Sequence, residues 1–151
     1  MPRPTRIVGL DYGLARIGVA LSDERKIIAM SQNTISAEKK AEQTAAKIGS
    51  ELQKLADELK FDIEKIVIGL PLKMNGTRGL QADETAHFAE LLQKYMSCPI
   101  VMWDERLTSV QAERSLREGQ LSRKQRSKHV DKVAAVIILQ SYLDSISVGG
   151  F

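Results

Sequence analysis

The chain is poor in the side chains that build several common kinds of site. It has one cysteine, Cys98, in 151 residues, which excludes an internal disulfide and any cysteine-rich zinc centre. Its two histidines, His87 and His129, lie far apart in sequence, so a histidine-based metal centre is disfavoured; both read as surface residues. Aromatic residues make up 5%, which gives no sign of a stacking platform for single-stranded nucleic acid. No apolar run is long enough to span a bilayer. The opening Met1-Pro2-Arg3-Pro4-Thr5-Arg6 carries no mark of a secretory signal. The expected compartment is therefore a reducing cytoplasm, with no membrane partner. Repeats and low-complexity segments are also missing.

What remains is the composition of a soluble globular protein, 43% hydrophobic and 27% charged. A chain of 151 residues is expected to form one domain, residues 1–151, with room for a proper core. The net charge of +3 is modest. Its distribution is not. Between Arg114 and Lys132 stand seven positive residues (Arg114, Arg117, Arg123, Lys124, Arg126, Lys128 and Lys132) against Glu118 and Asp131, a larger excess than that of the whole chain. Such a run is more often a solvated loop than a binding site. Packed this densely, it raises nucleic-acid backbone contact as an alternative.

Apolar patterning sets the order of elements. Arg6 to Leu10 reads as a strand entering a turn at Asp11, Arg16 to Leu21 as its hairpin partner, and Lys26 to Thr34 as a third strand after a polar turn. Ala41, Ala45, Ile48, Leu52, Leu55 and Leu59 are spaced four, three, four, three and four, one helical stripe. Ile66 to Leu70 is wholly apolar, as a buried parallel strand should be. Pro71 ends it, and a glycine-bearing loop to Gly79 leads into a second helix from about Gln81 to Met96. Pro99 to Trp103 is the fifth strand. Thr108-Ser109-Val110-Gln111 fits a capping box that opens a third helix, which stops near Gly119. Gln120 to Lys128 lacks apolar periodicity and reads as a loop. A last helix, about Val130 to Leu143, is apolar on nearly every side and is expected to be buried. Three antiparallel strands followed by strand–helix units make a mixed α/β sheet.

Three acids stand at the ends of these apolar elements. Asp11 follows the first strand in Gly9-Leu10-Asp11-Tyr12-Gly13, Glu105 follows the fifth in Trp103-Asp104-Glu105-Arg106, and Asp131 opens the last helix. Sites in α/β sheets form beside the carboxyl ends of parallel strands. If the first and fifth strands run the same way, Asp11 and Glu105 share an edge, and Asp131 can close the group. Three carboxylates around one pocket repel one another, and a hard cation such as Mg²⁺ relieves that with oxygen ligands. Two such ions about 3.5–4 Å apart suit phosphodiester cleavage. Taken singly, an acid after a strand is more often a turn residue or helix cap. Of Asp104 and Glu105 only one should face the pocket, since neighbours on a strand point to opposite faces. The loop from Gly69 to Gly79 reads either as a plain connection or as a phosphate cradle built on its glycines and the next helix. It lacks the Gly-Lys-Ser/Thr ending of a P-loop.

Four blocks in this order and spacing, GLDYGLARIGVALSDE, VIGLPLKMNGTRG, WDERLTSVQAERSL and VDKVAAVIILQSYLD, resemble the YqgF family over nearly the whole chain. Its members are described as pre-16S rRNA nucleases and as Holliday-junction-resolvase-like proteins. The first block alone also resembles the opening of the actin-like sugar kinases, which need two lobes and a far longer chain. The resemblance implies a ribonuclease H-like fold, with a five-stranded mixed sheet of three antiparallel and then two parallel strands, flanked by helices. It implies a carboxylate triad at Asp11, Glu105 and Asp131 that binds divalent metal, Mg²⁺ or Mn²⁺ and two ions, with Asp11 bridging them. Charge and placement add Arg16, Lys73, Arg106, Arg123, Lys124, Arg126 and Lys128 as expected phosphate contacts. Many family members carry a basic residue where this chain has Ala15.

The expected function is a metal-dependent endonuclease in 5′-end processing of precursor 16S rRNA, acting on precursor rRNA or ribosomal particles as a monomer or homodimer. A resolvase of branched DNA and a non-hydrolytic nucleic-acid-binding factor linked to transcription are the alternatives.

Overall fold

The computed structural model describes residues 2–108 and 123–148, with the side chains of all of these except 123–133. The elements are β1 (Thr5–Asp11), β2 (Arg16–Ser22), β3 (Ala29–Ser31), β4 (Ile35–Ser36), α1 (Ala41–Leu59), β5 (Asp62–Leu70), α2 (Leu80–Gln93), β6 (Ile100–Asp104), a 3₁₀ turn at Glu105–Leu107, and α3 (Arg123–Val148). The strands form one mixed sheet in the order β3-β2-β1-β5-β6, with β4 on the end of β2. β2 is antiparallel to β1, whereas β5 is parallel to β1 and β6 is parallel to β5. The expected fold class is therefore the observed one, with a two-residue sixth strand added by β4.

Strand alternation assigns the two faces. Val8 and Leu10 of β1 and Ile66 and Ile68 of β5 face α1 and α2, where Ile48, Leu52, Phe88 and Leu92 complete one core. Ile7 and Val67 face the other way, against Ala135, Ile138, Leu139 and Tyr142 of α3. β1 and β5 are apolar on both sides because helices cover both. The α1 stripe packs as expected through Ala45, Ile48 and Leu52 but ends early: Ala56 is buried and Leu59 is exposed. Cys98 is buried in the same core, and burial pushes its thiol up, away from the reactive thiolate.

Several boundaries differ from the sequence reading; β5 begins at Asp62 and the last helix runs on to Val148. The third strand shrinks to Ala29–Ser31 because Asp23 Oδ1 accepts the N–H groups of Ile27 (2.7 Å) and Ile28 (3.0 Å), bonding the backbone donors a longer strand would use. Lys26 stands at φ 59°, outside strand geometry. The second helix stops at Gln93, closed by tighter bonds from Lys94 N to Leu91 O and from Tyr95 N to Leu92 O. The last helix starts at Arg123 instead of Val130, so part of the basic stretch is helical. Arginine, lysine and glutamine are good helix formers, and a stretch without apolar residues offers no apolar period to read. The helix expected from Thr108 to Gly119 lies beyond Thr108 outside the described residues, as does its capping partner Gln111. No helix among the described residues is long and apolar enough to cross a membrane.

Candidate active site

Two glycines decide how closely α3 lies on the sheet. A Cβ on Gly9 would stand 2.7 Å from Leu139 Cβ and 3.3 Å from the Ala135 carbonyl oxygen. A Cβ on Gly69 would collide with Ile138 Cδ1 and stand 3.0 Å from its Cγ1. Neither position tolerates a side chain without moving the helix. Glycine inside an apolar strand marks such a close approach, so a signal for both was present in the sequence.

The same two strands lead to the acids at the carboxyl edge of the sheet. Asp11 comes two residues after Gly9 and so faces α3. Leu10 pairs with Ile68 and Gly69 pairs with Trp103, so Asp11, Gly69 and Trp103 lie in one row across the sheet. Beyond that row, the 3₁₀ turn brings Glu105 back over Gly69. Its Cγ lies 3.1 Å from where a Gly69 Cβ would be. Gly69 thus separates the two acids with a residue that has no side chain. Asp11 is 3% and Glu105 1% exposed. Buried carboxylates are oxygen donors of the kind a hard divalent cation takes, so the chemistry of these two residues suits such an ion, although no group of three acid, histidine or cysteine side chains gathers among the described residues.

Asp104 and Glu105 divide as strand alternation requires. Asp104 turns away and pairs with Arg106: Nε donates to Oδ1 and Oδ2 at 3.2 and 3.1 Å, and Nη2 donates to Oδ2 at 2.8 Å. The guanidinium holds the Asp104 carboxyl below the usual carboxylate range. Arg106 Nη1 also donates to the Met74 carbonyl at 3.3 Å and lies against Gly76, whose φ of 87° suits glycine. The expected phosphate contact at Arg106 therefore meets a group already engaged with Asp104 and the 71–79 loop, a role the sequence reading missed. That loop is also bonded within itself. Lys73 N donates to Thr77 O at 2.9 Å, Gly76 N to Lys73 O at 2.8 Å, and Thr77 N to Asn75 Oδ1 at 3.0 Å. The phosphate-cradle reading loses those amides. Lys73 itself is exposed on the loop, and Arg16 is half-buried where β2 begins, opposite Ser36. His87 is exposed on α2, as expected.

Asp131 does not open the last helix; its backbone lies well inside α3. The helix runs against β1, since Ala135 and Leu139 meet Gly9 while Tyr142 bonds Lys65, the partner of Ile7. Position 131 precedes Ala135 by four residues, about 6 Å of helix. Asp11 follows Gly9 by two, about 6.6 Å of strand. The antiparallel run of the helix carries position 131 toward the end of β1 that holds Asp11. The side chains of Asp131, Arg123, Lys124, Arg126, Lys128 and His129 lie outside the described residues.

A family model described as "RuvX: Holliday junction resolvase" matches residues 5–145. The chain belongs to the RuvX family. Within its length it is 61% identical over 144 residues to the "Putative pre-16S rRNA nuclease" of Protochlamydia amoebophila (strain UWE25), covering 95% of this chain and 96% of that protein. A protein of the same name from Syntrophomonas wolfei is 49% identical over 144 residues, covering 95% and 97%. Among solved structures, Thermus thermophilus RuvC in complex with a Holliday junction substrate shares the fold at a TM-score of 0.60 and 11% identity, covering 96% of both chains. A ROK hexokinase from Thermus thermophilus matches at a TM-score of 0.50 and 21% identity, covering 74% of this chain but 37% of its own. The RuvX chain matches RuvC along its whole length, whereas it corresponds to only part of the kinase.

Proposed function

We propose that this RuvX-family chain is a divalent-metal-dependent endonuclease that hydrolyses phosphodiester bonds, and that its substrate is precursor 16S rRNA at the 5′ end. The supporting observation is the burial of Asp11 and Glu105 on one face of the sheet edge, with the bare backbone of Gly69 between them. Asp11, Glu105 and Asp131 would hold the metal, Mg²⁺ or Mn²⁺. When bound there, such ions would supply charge stabilisation for the oxygens of the cleaved phosphodiester. Lys73, Arg16 and the basic first turns of α3, with Arg123, Lys124, Arg126 and Lys128, bind the substrate backbone through its phosphates. The relatives' shared name supports precursor rRNA; the reading places the reaction in the cytoplasm, on precursor that is free or within ribosomal particles. Residues 1–151 act as one ribonuclease H-like unit.

The family description favours one second reading, resolution of branched DNA. A phosphate-reading edge accepts either substrate, so precursor 16S rRNA and four-way DNA junctions must be cleaved side by side, with Mg²⁺ and with Mn²⁺. Asp11→Asn is expected to abolish cleavage while circular dichroism and RNA affinity stay close to wild type. Undiminished cleavage by that variant refutes the assignment of Asp11. A wild-type protein that binds RNA but cuts nothing with either metal refutes the nuclease reading in favour of a binding factor.

A further inference from the structure

Beside the acids, on the opposite face of β1, lies a cavity of about 340 Å³ whose described lining residues are Tyr12, Gly13, Leu14, Leu80, Gln81 and Glu84. Its size is at the small end of small-molecule pockets, about 300–1,000 Å³. The walls come from the β1–β2 turn and the first two turns of α2. Tyr12 is the residue after Asp11, and its ring is fixed by stacking on Phe88, with centroids 4.4 Å apart. Leu14 and Leu80 are 73% and 76% exposed at the mouth. Large apolar side chains so exposed beside a polar site have a cost in water that a ligand can relieve. Gln81 and Glu84 are three residues apart on α2 and so share one helical face. Glu84 lines the same cavity as Tyr12.

The chemistry of the lining decides the occupant. A carboxylate with two leucines repels phosphate but suits a flat heterocycle that carries an amino group. Glutamate accepts from exocyclic base amines, and glutamine can both donate and accept. We propose that this cavity holds one unpaired nucleobase of the substrate strand, from a nucleotide flanking the scissile phosphate, and that Glu84 selects bases with an exocyclic amino group over uracil. The proposal rests on the nuclease reading for its placement, because Tyr12 follows Asp11 directly and the two side chains serve opposite faces of one strand end. Cleavage then requires an unpaired nucleotide beside the cut, which a continuous duplex does not offer. Leu14 and Leu80 enclose the base, and Glu84 reads its edge.

The test uses the whole protein and two independent readouts. The first is cleavage of RNA oligonucleotides in which the flanking nucleotide is A, C, G, U or abasic. Wild type is expected to favour amino-bearing bases over uracil and the abasic site by about tenfold in kcat/KM, the scale of one base-edge contact. Glu84→Gln is expected to remove discrimination against uracil, and Leu80→Ala to make the abasic substrate as good as the rest. Equal cleavage of all five substrates, or unchanged preference in both variants, overturns the proposal. The second readout is an NMR titration with CMP, AMP and UMP that follows the backbone amides of Leu14, Leu80, Gln81 and Glu84. Saturable shifts with CMP and AMP, weaker with UMP, support the pocket even if no oligonucleotide is cut, an outcome that would sink only the nuclease reading. Absent shifts overturn it. Sedimentation showing a dimer that Leu80→Ala breaks would assign the cavity to a second copy of the chain, which also overturns it.

Discussion

Replacing Gly69 by alanine tests whether the bare strand position between the two acids serves the helix, the site, or both. The added methyl meets Ile138 Cδ1 and lies 3.0 Å from Ile138 Cγ1 and 3.1 Å from Glu105 Cγ. Ile138 is fully buried among Ile7, Val67 and Ala135 and has little room to turn aside. Overpacking of this kind costs about 1–3 kcal/mol, offset by about 0.4–1 kcal/mol because alanine restricts the unfolded chain. A net loss of about 1–2 kcal/mol is expected from these terms, with a Tm lower by about 2–4 °C per kcal/mol at this chain length. Ile138→Val removes the Cδ1 that the methyl strikes and by itself costs about 0.5–1.5 kcal/mol. Combined, the two changes exchange one methyl for another, so the double variant should be nearer wild type than the sum of the singles, with coupling of about 1 kcal/mol. Cleavage should behave differently. The Gly69→Ala methyl still presses on Glu105 in the double variant, and a misplaced catalytic group costs roughly tenfold to a hundredfold in rate. Urea unfolding and metal-dependent cleavage of one RNA substrate measure the two quantities on the same four proteins. Additive stabilities would refute the packing argument. Activity that returns together with stability would refute the role of Gly69 in shaping the site.

Three further expectations follow from the same edge. Asp104→Asn and Arg106→Lys should each loosen the 71–79 loop and lower cleavage by about tenfold through misplacement of Glu105 and Lys73; a direct phosphate contact by Arg106 predicts instead that Asp104→Asn tightens RNA binding, as a salt titration would show. Because Arg106 holds the Asp104 carboxyl below its ordinary range, the pair contributes stability above the unfolded carboxylate value near about 4 and loses it as pH falls through the lower folded value. Acid titration of thermal stability should therefore be flatter in Asp104→Asn, and an unchanged acid limb would dismiss the pair. Neutralising Arg123, Lys124, Arg126 and Lys128 together should weaken RNA binding and reduce the log–log salt slope by about 3 if all four meet phosphates of a single strand; an identical slope would make them bystanders.

Short-range pattern revealed most elements because their signals are local. The α1 stripe, the two apolar parallel strands and the hairpin after Asp11 each depend on neighbours within a few residues. The boundaries that moved depend on bonds that periodicity does not carry. The Asp23 side chain took the amides of a longer β3, and good helix formers extended α3 into a stretch without an apolar face. At the site, strand-end position and the family motifs picked out Asp11 and Glu105. Which of Asp104 and Glu105 turns inward was not legible, since alternation fixes only that the two differ. The structural bonds of Arg106 were not legible for a similar reason. Its charge is visible in sequence and Asp104 is only two residues away, but the bond to the Met74 carbonyl depends on a loop more than thirty residues away.

The sequence by itself determined a mixed α/β chain with the motif order of the YqgF family, with acids at strand ends and a basic stretch near the last helix. Those properties belong to single elements and to motif order. Only the tertiary structure decided that α3 descends onto β1 and β5 at Gly9 and Gly69, that the buried Glu105 lies close over the second of these glycines, and that a pocket with a glutamate forms on the reverse side of the strand end that carries Asp11. These are meetings of residues distant in the chain, and they exist only once the sheet has fixed which strands lie side by side and which face each side chain takes.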